Sequence, residues 1–296
     1  MILFEKLLAK EANTYIRFSD ENVEDFCVPS FDKNKDGRLS YDEAASITVS
    51  EFNNATLNSS KKLTLFDEFQ FFTGLSEGVV NTQRFNFNVG GSITIPNIPI
   101  SINNLRCSTI TLRNALNGNI SGSTLILKEK ANANIRTSNF QNYVVDENCE
   151  RFCKVGDFVL SKDKTRLLLS DLTGAPVVLP DTVQRVEDMA LLGSTFTIVK
   201  VPNNVTYIGS HFSGTKMETV DIGENVEEIR HYFCYNNVAL KKVIFRGRVK
   251  IIYSAFDWGN RWGKFDIYVR NEDIEYYKSL FKSPYNTYVK SIDEMK

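Results

Sequence analysis

Four segments in the second half of the chain repeat one pattern, and that repetition limits the fold more than any other feature. They are VVLPDTVQRVEDMA, VKVPNNVTYIGSHF, VDIGENVEEIRHYF and VIFRGRVKIIYSAF. Leu179, Val201, Ile222 and Phe245 hold the first apolar position, and Val183, Val205, Val226 and Val249 the next. Val186, Ile208, Ile229 and Ile252 follow, and Ala190, Phe212, Phe233 and Phe256 close each unit. The units are spaced 22, 21 and 23 residues apart. A unit of this length is a short strand, a turn and a second extended or short helical piece, and it cannot bury its apolar face alone. Stacking the units builds a continuous ladder of Val and Ile. Pro180 and Pro202, each followed by Asp or Asn, fit the turn that ends the first strand. Separate hairpins of an ordinary sandwich would not need equal spacing at four positions.

A second motif lies near the front, D-K-N-K-D-G-R-L-S-Y-D-E from Asp32 to Glu43. It matches the EF-hand pattern at every constrained position. Calcium wants six to eight oxygens. Asp32, Asn34 and Asp36 alternate, so a tight loop turns all three inward; Arg38 offers its carbonyl, Ser40 acts through a water, and Glu43 binds with both oxygens. Gly37 sits at the sharp bend, and Leu39 anchors the loop to the interior. An Asn/Asp/Gly-rich turn without metal is the competing reading. No second loop is found, and Lys33 and Lys35 dilute the negative charge, so a structural calcium of modest affinity is expected. The sequence predicts an entering helix over Glu21–Phe26, capped by Ser19 or Asp20 and cut short by Pro29. It predicts a leaving helix over Asp42–Phe52.

Between these motifs lie two further segments. LTLFDEFQFFTGL, Leu63 to Leu75, clusters Phe66, Phe69, Phe71 and Phe72 and is expected to be core, a short helix that plugs the end of the array behind it. SITIPN, STITLRN and STLILKE begin at Ser92, Ser108 and Ser123 and read as narrow solenoid rungs, with a separate small β domain as the alternative.

Charge and rare residues narrow the function classes. Lys+Arg total 35 against 36 Asp+Glu, which argues against a dedicated nucleic-acid binder. Only His211 and His231 are present, leaving little room for a zinc enzyme or a His-based triad; at or near the closing aromatic of successive repeats, they read as surface or packing residues. Cys27, Cys107, Cys149, Cys153 and Cys234 are odd in number and scattered, which fits buried thiols better than a disulfide framework. The apolar start Met1–Phe4 is broken by Glu5 and Lys6, so no signal peptide is expected, and no apolar run is long enough to span a bilayer. Ala255–Tyr268 carries Trp258, Arg261 and Trp262; it reads as an expanded last repeat, with a ligand platform as the sharper alternative.

The pattern I/V-x-P-x-x-V-x-x-I-G-x-x-A/F-F resembles the BspA-like leucine-rich repeat proteins of anaerobic, often gut-associated, bacteria. Val155–Leu169 resembles the hairpin these proteins insert before a repeat block. Ile267–Tyr285 resembles their C-terminal cap of strand and short helix. The calcium loop followed by FDEFQFFTGL resembles an N-terminal region of some members. The resemblance implies a cell-surface or secreted protein with an adhesive or ligand-binding role and no catalysis.

The sequence therefore predicts an α+β chain: a leucine-rich-repeat solenoid of short strands with a small helical EF-hand-like N-terminal region. Three parts are expected, namely residues 1–76, helical; 77–145, β-rich short rungs; and 146–296, repeats with a C-terminal cap. The expected cofactor is calcium. The expected partner is a host or bacterial protein or glycan, with no nucleic acid and no membrane insertion. A structural or assembly component of a cell envelope or virion is the alternative.

Overall fold

The computed structural model describes residues 14–56, 62–81, 88–133, 140–171, 176–212, 216–234, 237–253 and 265–295. The chain divides into two units, Met1–Arg151 and Phe152–Lys296.

The first unit begins with helix α1, Glu21–Phe31. Asp20 is its N-cap and accepts from the Asn22 amide at 2.9 Å. The other carboxylate oxygen accepts from the Thr64 amide, the Thr64 hydroxyl (2.7 Å) and the Leu65 amide (3.1 Å), so the cap also fastens the helix to the strand Leu65–Phe66. The expectation that Pro29 shortens this helix is wrong: α1 runs through Pro29 to Phe31. Proline in a helix interior costs about 3 kcal/mol. Burial of Phe31, worth roughly 1.5–3 kcal/mol, and the bond from the Asp32 amide to the Val28 carbonyl at 3.0 Å hold the last turn against that cost.

The leaving helix is also not one piece. It splits into α2, Tyr41–Ser46, and α3, Val49–Asn54. Each begins with its own capping box, Ser40 with Glu43 and Thr48 with Glu51, and the second box starts a new helix where Ile47 has turned extended. The residues 67–71 form a 3-10 turn. Phe26, Phe31, Phe52, Phe66, Phe69 and Phe72 are all buried and meet as one cluster. Phe52 stacks on Phe31 at 5.5 Å and meets Phe69 at 5.5 Å and Phe72 at 5.7 Å.

From this plug the chain winds into parallel rungs. The strands Leu65–Phe66, Asn88–Thr94, Leu105–Leu112, Thr124–Leu127 and Asn142–Val145 stack in order. Their register places Phe66, Ile93, Ile110, Leu125 and Tyr143 in one buried column. Val79–Asn81, Ile100–Asn103, Ala115–Asn117 and Asn132–Ala133 form a second parallel sheet. The tight winding needs Gly118, at φ +141°, where a Cβ would strike the Ile102 carbonyl of the rung below.

The second unit opens with an antiparallel meander, Phe152–Val155, Phe158–Ser161 and Arg166–Ser170, where the inserted hairpin is expected. Parallel two-residue strands then stack upon it: Arg185–Val186, Tyr207–Ile208, Glu228–Ile229 and Ile251–Ile252. The other wall is a parallel sheet of Val177–Val178, Ile198–Lys200, Thr219–Ile222, Lys242–Phe245, Asp266–Val269 and Val289–Ser291. The repeated apolar positions face inward. Leu179, Val183, Val186 and Ala190 are buried, as are their equivalents in the next two units. Ile252 is half-buried, and Phe256 lies outside the described residues. The turns form as expected, with Val183 and Val205 amides bonded to the Pro180 and Pro202 carbonyls at 2.9 and 3.2 Å.

Helix α4, Ile274–Leu280, closes the array. Its Tyr277 is fully buried and stacks on Phe245 at 4.9 Å. Asp273, 1% exposed, pairs with Arg248 at 2.7 Å and Arg270 at 2.6 Å. Removing either arginine would leave a buried carboxylate short of a partner, which makes this junction costly to break. No helix among the described residues is long and apolar enough to cross a membrane.

Candidate metal loop and repeat face

The loop Asp32–Glu43 runs from the end of α1 to the first turn of α2. Gly37 takes φ +83° and Lys35 φ +61°, the left-handed conformations that let the chain turn back so tightly. Asp32 accepts from the Lys35 amide at 2.7 Å and the Gly37 amide at 2.8 Å. The Asn34 side-chain Oδ1 accepts from the Asp36 amide at 2.8 Å. Asp36 accepts from the Arg38 amide at 3.0 Å and the Asn34 side-chain amide at 3.1 Å. Glu43 spans the loop: one oxygen accepts from the Lys33 and Asn34 amides at 3.0 and 3.2 Å, the other from the Ser40 amide and hydroxyl at 2.9 and 2.8 Å.

Within this loop Asn34 is bonded to Asp36, and Glu43 to Asn34 and Ser40, while Asp32 is bonded only to backbone amides of the loop. Ser40 doubles as the α2 cap, its oxygen accepting from the Glu43 amide at 3.1 Å. Arg38 lays its guanidinium over the Tyr15 ring at 5.0 Å. Leu39 is buried, as its anchoring role requires. The side-chain donors are oxygen throughout, the set a hard cation takes. Among the described residues, no three His, Cys, Asp or Glu side chains close on one point. The carboxylates here are turned to backbone amides. Burial opposes ionisation of Glu43, but the bonds from Ser40, Asn34 and Lys33 outweigh it and hold the carboxyl below its ordinary value. Asp36 is held low in the same way, with Tyr15 the strongest of the groups that lower it.

Tyr15 is the residue sequence reasoning missed. Its phenol donates to Asp36 at 3.0 Å, and it pairs with Ser40 in an antiparallel bridge. It lies outside the loop motif, and no spacing rule marks it.

The repeat block carries a second cluster. Glu187 holds Arg166 at 2.7 Å and Arg185 at 3.6 Å. The Arg185 guanidinium covers the Tyr207 ring at 3.8 Å. Arg230 donates to the Tyr207 hydroxyl at 3.3 Å and lies over the Tyr253 ring at 5.1 Å. His231 meets Tyr253 at 5.0 Å, and His211 stacks on Tyr232 at 4.9 Å. Both histidines thus pack against exposed rings, Tyr232 and Tyr253 being 39% and 37% exposed. Met189, His211 and Tyr232 occupy equivalent corners of successive rungs, all left-handed at φ +62°, +56° and +60°. On the other wall, a groove of about 540 Å³ runs past Val178, Lys200, Pro202 and Asn203 to the Asp221–Arg246 pair. That pair is bidentate at 2.8 Å.

The cysteines are thiols, four buried and Cys153 half-buried. Burial pushes Cys107 up to about 11 and Cys27 and Cys234 far above the ordinary thiol value. Trp258, Arg261 and Trp262 lie outside the described residues.

A search of curated protein sequences finds no match to this chain. Three solved structures are similar to it. The pneumococcal vaccine antigen PcpA is 15% identical, with a TM-score of 0.39, over 74% of this chain and 70% of that one. A leucine rich cell surface protein from Faecalibacterium prausnitzii A2-165 is 13% identical, with a TM-score of 0.41, over 69% of this chain and 72% of that one. A leucine-rich repeat protein from Eubacterium ventriosum ATCC 27560 is 13% identical, with a TM-score of 0.40, over 75% of this chain and 73% of that one. Residues 173–280 match the family model of the BspA type leucine rich repeat region, in six copies.

Proposed function

We propose that this chain is a non-enzymatic, calcium-braced repeat protein that binds a protein or glycan at a bacterial surface. The carrying observation is the run of Arg185, Tyr207, Arg230, Tyr253 and His231 across successive rungs, ending in half-exposed rings. Tyrosine and arginine are the side chains that dominate recognition hot spots. Ring faces and guanidinium groups side by side offer stacking and directed hydrogen bonds together. The thiols with raised pKa values make poor nucleophiles. Calcium belongs to the oxygen-lined loop, where it fixes the junction of α1 and α2.

The test is capture by the purified full chain from host mucosal and bacterial extracts, with calcium or with chelator. The triple variant Arg230→Ala, Tyr232→Ala, Tyr253→Ala is run beside it. Loss of the captured partner in the variant, with the melting temperature kept, supports the reading. Equal capture by variant and parent rejects this face.

A further inference from the structure

The groove on the longer-stranded wall of the second unit, about 540 Å³, is of the size that small-ligand sites have. One residue opens it. The position after the first apolar residue of each unit is held by Pro180, Pro202, Gly223 and Arg246. Gly223 puts no side chain there, and a Cβ would stand 2.5 Å from the Pro202 carbonyl oxygen, so the gap between Pro202 and Arg246 is built into the stacking. Polar groups of both kinds surround the gap. The Lys200 and Asp181 side chains enter no ion pair or hydrogen bond among the described residues. Arg246 commits Nε and Nη2 to Asp221, which leaves Nη1. The Asn203 Oδ1 accepts from the Glu224 amide at 3.0 Å, which leaves its side-chain N–H groups. The Asn204 side-chain amide donates to the Asp181 carbonyl, which leaves its Oδ1. Val178, 59% exposed, and the Pro202 ring supply an apolar edge.

We infer that this groove binds an N-acetylhexosamine unit of a glycan. Two cations, Lys200 and Arg246, stand against two carboxylates, Asp181 and Asp221, so the charge in the groove sums to zero. An anionic ligand would meet the carboxylates, and a cationic one the lysine and arginine. A hydroxyl both donates and accepts, so a neutral sugar uses both kinds of group at once. The acetamido group adds one N–H, one carbonyl and one methyl. The Asn204 oxygen, the Asn203 N–H groups and the Val178 methyls answer these three in kind. The bare backbone at Gly223 leaves room for the sugar ring. This site lies on the other wall from the ring-and-guanidinium face, so it stands or falls separately from the reading above.

The experiment titrates the full chain with N,N′-diacetylchitobiose and with N-acetylgalactosamine, read by chemical-shift changes. Beside them run cellobiose, which lacks the acetamido group, the deacetylated cationic disaccharide, and anionic N-acetylneuraminic acid. Saturable binding of at least one of the two acetamido sugars is expected, about tenfold tighter than any of these three. Lys200→Ala is expected to weaken it about tenfold, the value of a hydrogen bond to a charged group, with an unchanged melting temperature. Val178→Arg, which fills the edge of the groove, is expected to abolish it; should that chain melt lower, Lys200→Ala alone decides. The triple variant Arg230→Ala, Tyr232→Ala, Tyr253→Ala is expected to bind the sugar as the parent does. No saturable binding of either acetamido sugar overturns the inference. So does equal or tighter binding of cellobiose or of a charged sugar, since the matching of groups is then not what selects the ligand. Binding by Lys200→Ala equal to the parent's, or its loss in the triple variant, places the sugar elsewhere and overturns the groove.

Discussion

The Tyr277 hydroxyl donates to the Gly247 carbonyl at 2.8 Å and accepts the Val249 amide at 3.0 Å. One buried side chain of the closing helix thus satisfies two backbone groups of the last repeat turn. Tyr277→Phe removes both bonds and leaves a buried carbonyl and a buried amide without partners, each costing about 1–3 kcal/mol. We expect a loss of about 2–4 kcal/mol, read as a lower urea midpoint for the second unit. A loss under about half a kilocalorie per mole would mean that water reaches this turn.

Asp20 ties α1 to the strand Leu65–Phe66. Burial works against its charge, but the bonds from Thr64, Leu65 and Asn22 prevail and hold the carboxyl below its ordinary value. The folded value is the depressed one, so the stabilisation is complete above the ordinary carboxylate range. It drains away as the pH falls through the folded value. Asp20→Asn is expected to lose about 1–2 kcal/mol near neutrality and to narrow that gap in acid. Urea midpoints of both chains, followed from neutral pH down into the acid range, check this, and parallel curves would remove Asp20 from the account.

Calcium should raise the melting temperature of the parent and leave the double variant Asp36→Asn, Glu43→Gln where it stands in chelator. At a calcium concentration about a hundred times Kd the gain is about 2.7 kcal/mol. The repeat signature in circular dichroism should survive in the variant. Equal melting temperatures for both chains in calcium would reject a structural ion.

Ile208 is fully buried at the centre of the short-strand wall, between Val186 and Ile229. Ile208→Ala opens a cavity and should cost about 2–5 kcal/mol. In a stacked array that cost spreads to the neighbouring interfaces. Hydrogen exchange should therefore quicken in the rungs on both sides, and protection lost at one rung only would argue against coupled stacking.

Thiol reactivity should follow burial. Cys153, half-buried, should be alkylated first under mildly alkaline conditions, and Cys27, Cys107 and Cys234 only on unfolding. Mass mapping of the labelled chain reads the order directly.

Much of the fold was legible because stacking forces identical positions to recur. The columns that begin at Leu179, Val183 and Val186 could be read off spacing alone, and they are the buried columns. So could the strands beginning near Ser92, Ser108 and Ser123. Features set by one local contest were not legible. Pro29 argues for a helix end by itself, and the burial of Phe31 in the aromatic cluster, with the bond from the Asp32 amide to the Val28 carbonyl, reverses the outcome. Thr48 and Glu51 do spell a capping box, which the smooth apolar run over Asp42–Phe52 concealed. The strand Val289–Ser291 is three residues long and lies beyond the closing helix, where no repeat predicts it. In the loop, the spacing of Asp32, Asn34, Asp36 and Glu43 carried the expectation of calcium, but not the turning of these side chains to backbone amides. Tyr15 was not legible, since its part depends on a chain reversal that no local pattern encodes.

The left-handed corners at Met189, His211 and Tyr232 bear on how such a protein changes over time. Each corner is fixed by the winding of its rung, while its side chain stands outside the packed columns. The conformation suits Gly, Asn, Asp and His best and is costly for β-branched and bulky residues. One address per rung therefore lies outside the packed columns, within the limits that its left-handed backbone sets, and neighbouring addresses stay a rung apart. Because His211 stacks on Tyr232 at 4.9 Å, a change at one corner is felt at the next, and gain or loss of a whole rung alters the length of the display.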